Sequence, residues 1–345
     1  MIMVKFGLID FCRGSFDRME SIGEEIASHL KEWLGVSITG MSPIDKGWLN
    51  VKWRMDTEQG PLFVKYYHPE RYKIHIRPDR KAEIERTLRF QDGLNEDGIP
   101  CPRVYRFDGS YIKETHSGLH YTVMEWLDGY TVPAGSMNKA QMHELGIATG
   151  RMHCWLGRIP QLEQPAWKPD KEAYLRQWKL NWDEAERADD SVVKEWLRRS
   201  CSIVDSTDFH IFDPSPIGWL HWDLWVDNIL LREHGVAGIV DFDRMTMAYP
   251  EIDVARAVLS GALLDGQLDA GKVQAFMEGY RQNGAAPQGM LTRAFRMLYF
   301  IESIWWLRTE IRRESELSGL LARFVEEMHW IENNWDALPD RLDFA

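Results

Sequence analysis

The sequence predicts an α+β protein of two lobes, with a small β-rich lobe over residues 1–126 and a larger, mostly helical lobe over residues 127–345. Residues 36–67 alternate apolar and polar side chains between turn signals, which is typical of strands. An apolar strand at residues 121–129 runs into a turn, and this turn marks the boundary between the lobes. Beyond it, apolar residues recur at helical spacing, for example over residues 138–156.

A lysine lies inside the third strand of the first lobe. Lys65 interrupts the apolar run at residues 61–67, where a charged side chain is unfavourable unless it reaches solvent or has a partner. Taken alone, the segment favours a solvent-facing lysine. A helix predicted at residues 79–95 follows and supplies candidate partners on its inward side.

The most informative stretch is a strand, loop and strand over residues 219–243. His221 and Asp223 are followed by Asn228, and Asp241 ends the next apolar run. Phosphoryl transfer needs one group beside the attacking hydroxyl and two oxygen ligands for magnesium. The order His-x-Asp-x-x-x-x-Asn and then Asp-Phe matches the signature of kinase catalytic loops. The stretch therefore predicts phosphoryl transfer, and it favours a nucleotide-binding role for Lys65.

Composition limits the other function classes. The 41 basic and 53 acidic residues give a net charge of −12, which argues against a nucleic-acid partner. Four scattered cysteines form no C-x-x-C pair, so a disulfide framework or a zinc site is not expected. We find no signal peptide pattern and no apolar run long enough to span a membrane. We therefore expect a cytoplasmic protein without a membrane partner, and the oligomeric state stays open.

Taken together, these motifs resemble the aminoglycoside phosphotransferase and choline kinase-like family, which has a protein-kinase-like fold. The resemblance covers about residues 40–310. It rests on Lys65, on the Gly98-Ile99-Pro100-Cys101-Pro102 segment, on Met152-His153, on the stretch from His221 to Asp243, and on Pro250-Glu251-Ile252-Asp253. Residues 63–72 are also similar to the equivalent strand of bacterial stress-response Ser/Thr kinases.

The resemblance implies a catalytic residue, metal ligands and a phosphate ligand. Asp223 is expected to accept or orient the proton of the substrate hydroxyl. Asn228 and Asp241 are expected to bind Mg²⁺. Lys65 is expected to hold the α- and β-phosphates of ATP, with GTP as the alternative nucleotide.

The resemblance also implies supporting residues. A glutamate of the 79–95 helix should anchor Lys65; Glu85 is the first choice and Glu83 a close rival. Backbone groups of the segment that joins the lobes should meet the adenine; these are the groups of Glu125, Trp126 and Leu127. Three residues are expected to support the loop and the metal: His221, Asp243 and Asp253.

The chain departs from the family pattern at three places. Trp222 stands where the family most often has glycine, and Trp225 replaces a small or charged residue. The expected glycine-rich nucleotide loop is reduced to Gly47 within residues 45–50. Both tryptophans can pack in the second lobe or, for Trp225, reach toward the substrate.

Three functions remain open at this point. The first is a kinase for a small-molecule hydroxyl, such as that of an amino sugar or amino alcohol. The second is a Ser/Thr protein kinase, and the third is a kinase-fold scaffold without activity. Residues 157–215 combine tryptophans with acidic residues, which fits either helices with aromatic cores or a pocket for an amine.

Overall fold

A computed structural model describes residues 16–44, 51–161 and 164–342 of the chain. It divides into two compact units. The first contains the described residues up to Asp97 together with Pro102–Leu127, and the second contains Gly98–Cys101 and the described residues from Asp128 onward. The α+β class with a β-rich first part and a helical second part is confirmed. The predicted nucleotide loop at residues 45–50 lies outside the described residues.

The first unit is built on an antiparallel sheet of five strands in the order β1-β2-β3-β5-β4. Its strands are β1 (Ile38–Pro43), β2 (Val51–Thr57), β3 (Leu62–Tyr66), β4 (Lys113–Glu114) and β5 (His120–Glu125). Its helices are α1 (Phe16–Leu34), α2 (Pro69–Tyr72) and α3 (Pro78–Glu96).

Both faces of the central strand β3 are covered. Val64 packs in a cluster with Ile26 and Leu30 of α1. Tyr67, just beyond the strand, packs with Ile84 and Leu88 of α3. Because side chains alternate between the two faces of a strand, Lys65 shares the α3 side with its second neighbour Tyr67. The sequence of β3 thus directs its lysine toward helix α3.

The second unit is mainly helical. Its helices are α4 (Lys139–Leu156), α5 (Lys171–Arg187), α6 (Ser191–Ser206), α7 (Glu251–Ala262), α8 (Ala270–Tyr280), α9 (Met290–Trp306), α10 (Thr309–Arg313), α11 (Ser318–Asn333) and α12 (Leu338–Leu342). Its strands are β6 (Gly218–Leu220), β7 (Ile229–Arg232), β8 (Gly235–Ile239), β9 (Thr246–Ala248), β10 (Leu263–Leu264) and β11 (Gln267–Leu268). Helix α7 is buried along its whole length and forms the centre of this unit.

Short strand pairs hold the region that carries the kinase motif. Strand β6 pairs with β9, and β7 forms a hairpin with β8. The N–H of Ile239, at the end of β8, donates to Pro100 O at 2.8 Å. The loop after β6 and the turn after β8 are therefore fixed at their bases, and these two segments carry the predicted catalytic residues.

Helices α5 and α6 explain the tryptophans that follow residue 170. Trp178, Trp182 and Trp196 pack against Ala185 and Val193 of the same helix pair. The rings of Trp178 and Trp182 stack with centroids 5.3 Å apart. These contacts favour helices with an aromatic core over an amine pocket. No helix in the described part of the chain is long and apolar enough to cross a membrane.

Candidate active site

The loop that follows β6 is organised by a histidine. His221 is fully buried, and its Nε2 atom lies 3.1 Å from the carbonyl oxygen of Val240. A carbonyl can only accept, so Nε2 carries the proton and Nδ1 is an acceptor. Nδ1 receives the N–H of Asp223 at 3.3 Å. The imidazole ring of His221 thereby connects Val240, which precedes Asp241, to the main chain of Asp223.

A second buried residue fixes the start of the same loop. Asp253, in the first turn of α7, accepts the N–H groups of His221 at 2.7 Å and of Trp222 at 2.8 Å. Its carboxylate also lies 3.2 Å from Nε2 of His153, whose Nδ1 is 3.1 Å from the hydroxyl of Tyr280. Charge-assisted hydrogen bonds to a buried carboxylate are strong. Asp253 therefore joins the loop to helices α4 and α8 through a single side chain.

The backbone at Trp222 has a conformation that favours glycine. Its φ is +70°, in the left-handed region that residues other than glycine rarely adopt. The two N–H groups bound by Asp253 belong to Trp222 and the residue before it. The turn in which both of these N–H groups point at Asp253 goes with the positive φ of Trp222. Trp222 accordingly holds a conformation that suits glycine better.

Asn228 and Asp241 are brought together through their main chains. The N–H of Val240 donates to the carbonyl oxygen of Asn228 at 2.9 Å. Asp241 is the residue that follows Val240, so this bond brings it near Asn228. The side-chain amide nitrogen of Asn228 donates to Asp223 O at 2.9 Å. This bond uses the amide nitrogen, so the amide oxygen is the atom of Asn228 that suits the predicted metal site.

The donor set fits magnesium. An amide oxygen and a carboxylate are hard oxygen ligands, and Mg²⁺ in kinases takes few protein ligands and completes its shell with phosphate oxygens and water. Within the described residues no group of three or more His, Cys, Asp or Glu side chains forms a metal site. A magnesium site of Asn228 and Asp241 is consistent with this finding, because it has only two side-chain ligands and needs nucleotide phosphates to complete it.

Asp223 keeps an accessible carboxylate. Its side chain is 35% exposed, and its nearest cation is Nη1 of Arg244 at 3.9 Å. Arg244 ends the short helical turn Phe242–Arg244, which begins directly after Asp241. The sequence offered no reason to single out Arg244, although its place three residues after Asp241 brings a positive charge beside Asp223.

Lys65 is buried in the first unit, with 2% of its surface exposed. It pairs across the sheet with Thr122 of β5, and its Nζ lies 5.8 Å from the ring centre of Tyr67. This placement is different from the solvent-facing lysine that the segment alone favours. A buried ammonium group needs compensation by opposite charge or by hydrogen bonds.

The two candidate glutamates of α3 have different surroundings. Glu85 accepts hydrogen bonds from the N–H groups of Tyr111 and Ile112, both at 2.9 Å, and from the hydroxyl of Ser110. Glu83 is partly exposed and forms an ion pair with Arg80 at 2.8 Å. Glu85 thus holds the turn at residues 110–112, a function that the sequence did not suggest. The Lys65–glutamate pair stays a prediction.

The segment predicted to meet adenine begins at Glu125, the last residue of β5. The N–H of Glu125 donates to Arg103 O at 2.9 Å, and the guanidinium of Arg54 lies 4.8 Å from the ring centre of Trp126. The first unit ends at Leu127. Adenine contacts of Glu125, Trp126 and Leu127 stay predictions.

Sequence comparison decides the family. The profile described as the phosphotransferase enzyme family matches residues 40–291. The chain belongs to this family. It is a kinase that transfers a phosphoryl group to an alcohol group, and its class is that of ATP-dependent phosphotransferases for small molecules.

Similar proteins come from two groups of kinases. Homoserine kinase of Agrobacterium fabrum is 23% identical over 295 residues, which cover 83% of this chain and 86% of that protein. Stress response kinase A of Shigella flexneri is 22% identical over 272 residues, which cover 78% of each chain.

Solved structures of the same fold bind nucleotides. An amicoumacin kinase in complex with AMP-PNP, Ca²⁺ and its substrate has a TM-score of 0.59 at 16% identity, covering 91% of this phosphotransferase and 96% of that chain. An aminoglycoside 2'-phosphotransferase variant in its GDP complex has a TM-score of 0.60 at 13% identity, covering 92% and 99%. At these identities the likeness establishes the fold alone.

Proposed function

We propose that this phosphotransferase moves the γ-phosphoryl group of ATP to the hydroxyl of a small amino alcohol, amino sugar or related metabolite. The observation that carries the proposal is the hydrogen-bonded network that ties Asp223 to Asn228 and, through Val240, to Asp241. It ties the loop of Asp223 and Asn228 to the turn that begins with Asp241, which supports the combination of one carboxylate and two oxygen ligands that this reaction requires.

The reaction follows from the chemistry of these groups. The acceptor oxygen attacks the γ-phosphorus, the bond to the β-phosphate oxygen breaks, and ADP leaves. Asp223 accepts the hydrogen bond of the hydroxyl and then its proton. Mg²⁺, when bound by Asn228 and Asp241, supplies neutralisation of the phosphate charge. Lys65 is proposed to hold the α- and β-phosphates.

Two observations favour a small acceptor. Only the short segment between Asp243 and Asp253 separates the metal-binding turn from helix α7, and β9 occupies part of it. A protein substrate would need a longer platform there. The homoserine kinase relative is named for homoserine, a small amino acid with a hydroxyl group. Together these observations support a small compound with an amino group and a hydroxyl as the first candidate.

A Ser/Thr protein kinase is the second candidate. The relative named stress response kinase A, at 22% identity over 78% of the chain, supports it. The third interpretation, a scaffold without activity, is disfavoured by membership of the phosphotransferase enzyme family and by the network that holds Asp223 and Asn228 together.

A screen of ATP consumption tests these candidates. The purified protein is supplied with Mg²⁺ and ATP and with single acceptors: homoserine, choline, aminoglycosides, macrolides, simple sugars and casein. We expect ADP release with one class of small hydroxyl compound and none in a matched Asp223→Asn preparation. Phosphorylation of casein without any small acceptor would reverse the ranking in favour of the protein kinase.

Nucleotide binding is tested separately by thermal unfolding. Mg²⁺ with ATP should raise the melting temperature, because a ligand that binds only the folded state stabilises it. Asp241→Ala should remove most of this shift, and GTP in place of ATP gives the base preference. A wild-type protein that shows no shift with either nucleotide would favour the inactive scaffold.

A further inference from the structure

A buried arginine lies behind the catalytic loop. Arg256, on α7, is 4% exposed. Its guanidinium is paired with Glu327 of α11 at 2.6 Å and with Glu302 of α9 at 2.8 Å. Although burial lowers the pKa of Arg256, these two carboxylates and, to a smaller extent, that of Asp223 raise it above its ordinary value. The residue is therefore a permanent cation fixed by two helices.

Arg256 also supports an aromatic side chain of the loop. Its guanidinium carbon lies 5.3 Å from the ring centre of Trp225 and 5.0 Å from that of Phe324. The rings of Trp225 and Phe324 are themselves 5.1 Å apart, and Trp306 stacks on Phe324 at 4.2 Å. Cation–π contacts that are removed from water are stronger than those at exposed sites. Trp225 thus rests on a layer built by α7, α9 and α11.

Trp225 is connected to the metal ligand by its main chain. Its carbonyl oxygen accepts the N–H of Asn228 at 2.8 Å, which closes the turn that carries Asn228. Asn228 in turn donates to Asp223 O. A displacement of Trp225 is therefore transmitted to a magnesium ligand and to the residue that binds the acceptor hydroxyl.

We propose that Arg256 is a positioning residue for phosphoryl transfer, because its guanidinium, held by Glu302 and Glu327, supports Trp225 and thereby fixes the turn that carries Asn228. The inference rests on the proposed function of Asp223 and Asn228. It explains why this chain has tryptophan at position 225, and it makes the C-terminal helices part of the catalytic apparatus.

The chain contains a matched control. Arg323 of α11 also binds Glu327, at 3.1 Å, and it is paired with Glu326 at 2.7 Å. Its third bond goes to Leu259 O, and its side chain is 12% exposed. Arg256→Lys and Arg323→Lys each keep a positive charge beside Glu327 and lose the planar group. Of the two, Arg256 is the residue with a ring contact to Trp225.

Two measurements compare these variants. The first is ADP release from Mg–ATP with water as the acceptor. The second is hydrogen–deuterium exchange of peptides that span residues 221–228. We expect Arg256→Lys to lower kcat about tenfold, with KM for ATP changed less than about twofold, since small misplacements of reacting groups have large effects on rate. Its loop peptides should exchange faster than those of Arg323→Lys, whose kcat should stay near that of the wild type.

A second variant protects the test against misfolding. Phe324→Leu removes the ring beneath Trp225 and leaves both ion pairs of Arg256 in place. It should reproduce the faster loop exchange and the lower kcat. Exchange and kcat equal to those of Arg323→Lys, in both Arg256→Lys and Phe324→Leu, would overturn the inference. The exchange measurement needs no turnover, so it separates failure of this inference from failure of the proposed function.

Discussion

The catalytic loop of the second unit and the lysine strand of the first unit are held by different kinds of contact. In the loop, residues 221–228, main-chain groups are bound by two buried side chains, His221 and Asp253. On β3, Lys65 is buried, and the neighbouring side chains of the strand pack in apolar clusters on both faces of the sheet. The loop is thus specified by a few directed bonds, whereas the strand is specified by alternation and packing.

This difference has a practical consequence for substitutions. A directed bond is lost when one atom changes, so the loop should be sensitive to isosteric substitutions. Packing is distributed over many contacts, so the strand and α3 should respond gradually. The substitutions below test this contrast, beginning with the largest expected effect.

Asp223→Asn should lower ATP turnover by about 10²–10⁴-fold, because the amide cannot accept the proton of the attacking hydroxyl. The fold should be unchanged, since the side chain is 35% exposed and the N–H of residue 223 still reaches His221. Steady-state kinetics and circular dichroism measure the two effects. Near-normal turnover in the folded variant would remove Asp223 from its proposed role.

The sequence predicted the catalytic loop because most of its determinants are close in the chain. His221, Asp223 and Asn228 lie within eight residues, and their spacing alone defines the turn. The strand that carries Lys65 also followed from the alternation of its side chains, although the segment alone favoured a solvent-facing lysine and the structure buries it. Both depend on local patterns, which is why the fold class and the order of the motifs could be read without a structure.

The tertiary partners could not be read in the same way. The contact of Asp253 with His153 joins residues 100 positions apart, and Glu85 binds residues 26 and 27 positions away. Arg256 meets Glu327 across 71 positions. No periodicity encodes such pairs. The resemblance implied that Asp253 supports the loop, but it did not give the partners of its carboxylate.

Asp253→Asn should show how far the loop depends on one anchor. Only one oxygen remains to accept the N–H groups of His221 and Trp222, and the new amide group places hydrogen atoms against the other donor. Leaving a buried donor unsatisfied costs about 1–3 kcal/mol. Urea unfolding should therefore show a loss in this range, accompanied by reduced kcat.

Asp227→Asn is the control for that experiment. Asp227 belongs to the same loop and is exposed. Substitutions at such positions usually change stability by less than about 0.5 kcal/mol. Equal losses in Asp253→Asn and Asp227→Asn would mean that the anchor contributes little and that the loop is held by packing, as the strand is.

Glu85→Gln and Glu83→Gln compare two neighbouring glutamates of α3. Glu85→Gln weakens the bonds to Tyr111 and Ile112, and hydrogen bonds to charged groups contribute about 1.5–3 kcal/mol. Glu83→Gln removes only a partly exposed ion pair with Arg80, worth about 0–1 kcal/mol. Urea unfolding should rank the losses in this order.

The same two variants decide which glutamate serves Lys65. An increase of KM for ATP in Glu85→Gln that exceeds the increase in Glu83→Gln would assign the pairing to Glu85. The opposite order would assign it to Glu83 and leave Glu85 with the turn at residues 110–112 alone. KM values that do not move in either variant would show that Lys65 is held without a glutamate of α3.

The smallest expected effect concerns the backbone of Trp222. Both Trp222→Gly and Trp222→Ala remove the ring, so their difference reports on φ = +70° alone. At ordinary positions alanine is more stable than glycine by about 0.5–1 kcal/mol. In the left-handed region a β-carbon costs about 1–2 kcal/mol, so here glycine should be the more stable variant. Urea unfolding gives the order of stability of the two variants. If Trp222→Ala is the more stable, Asp253 does not hold this turn in its left-handed conformation.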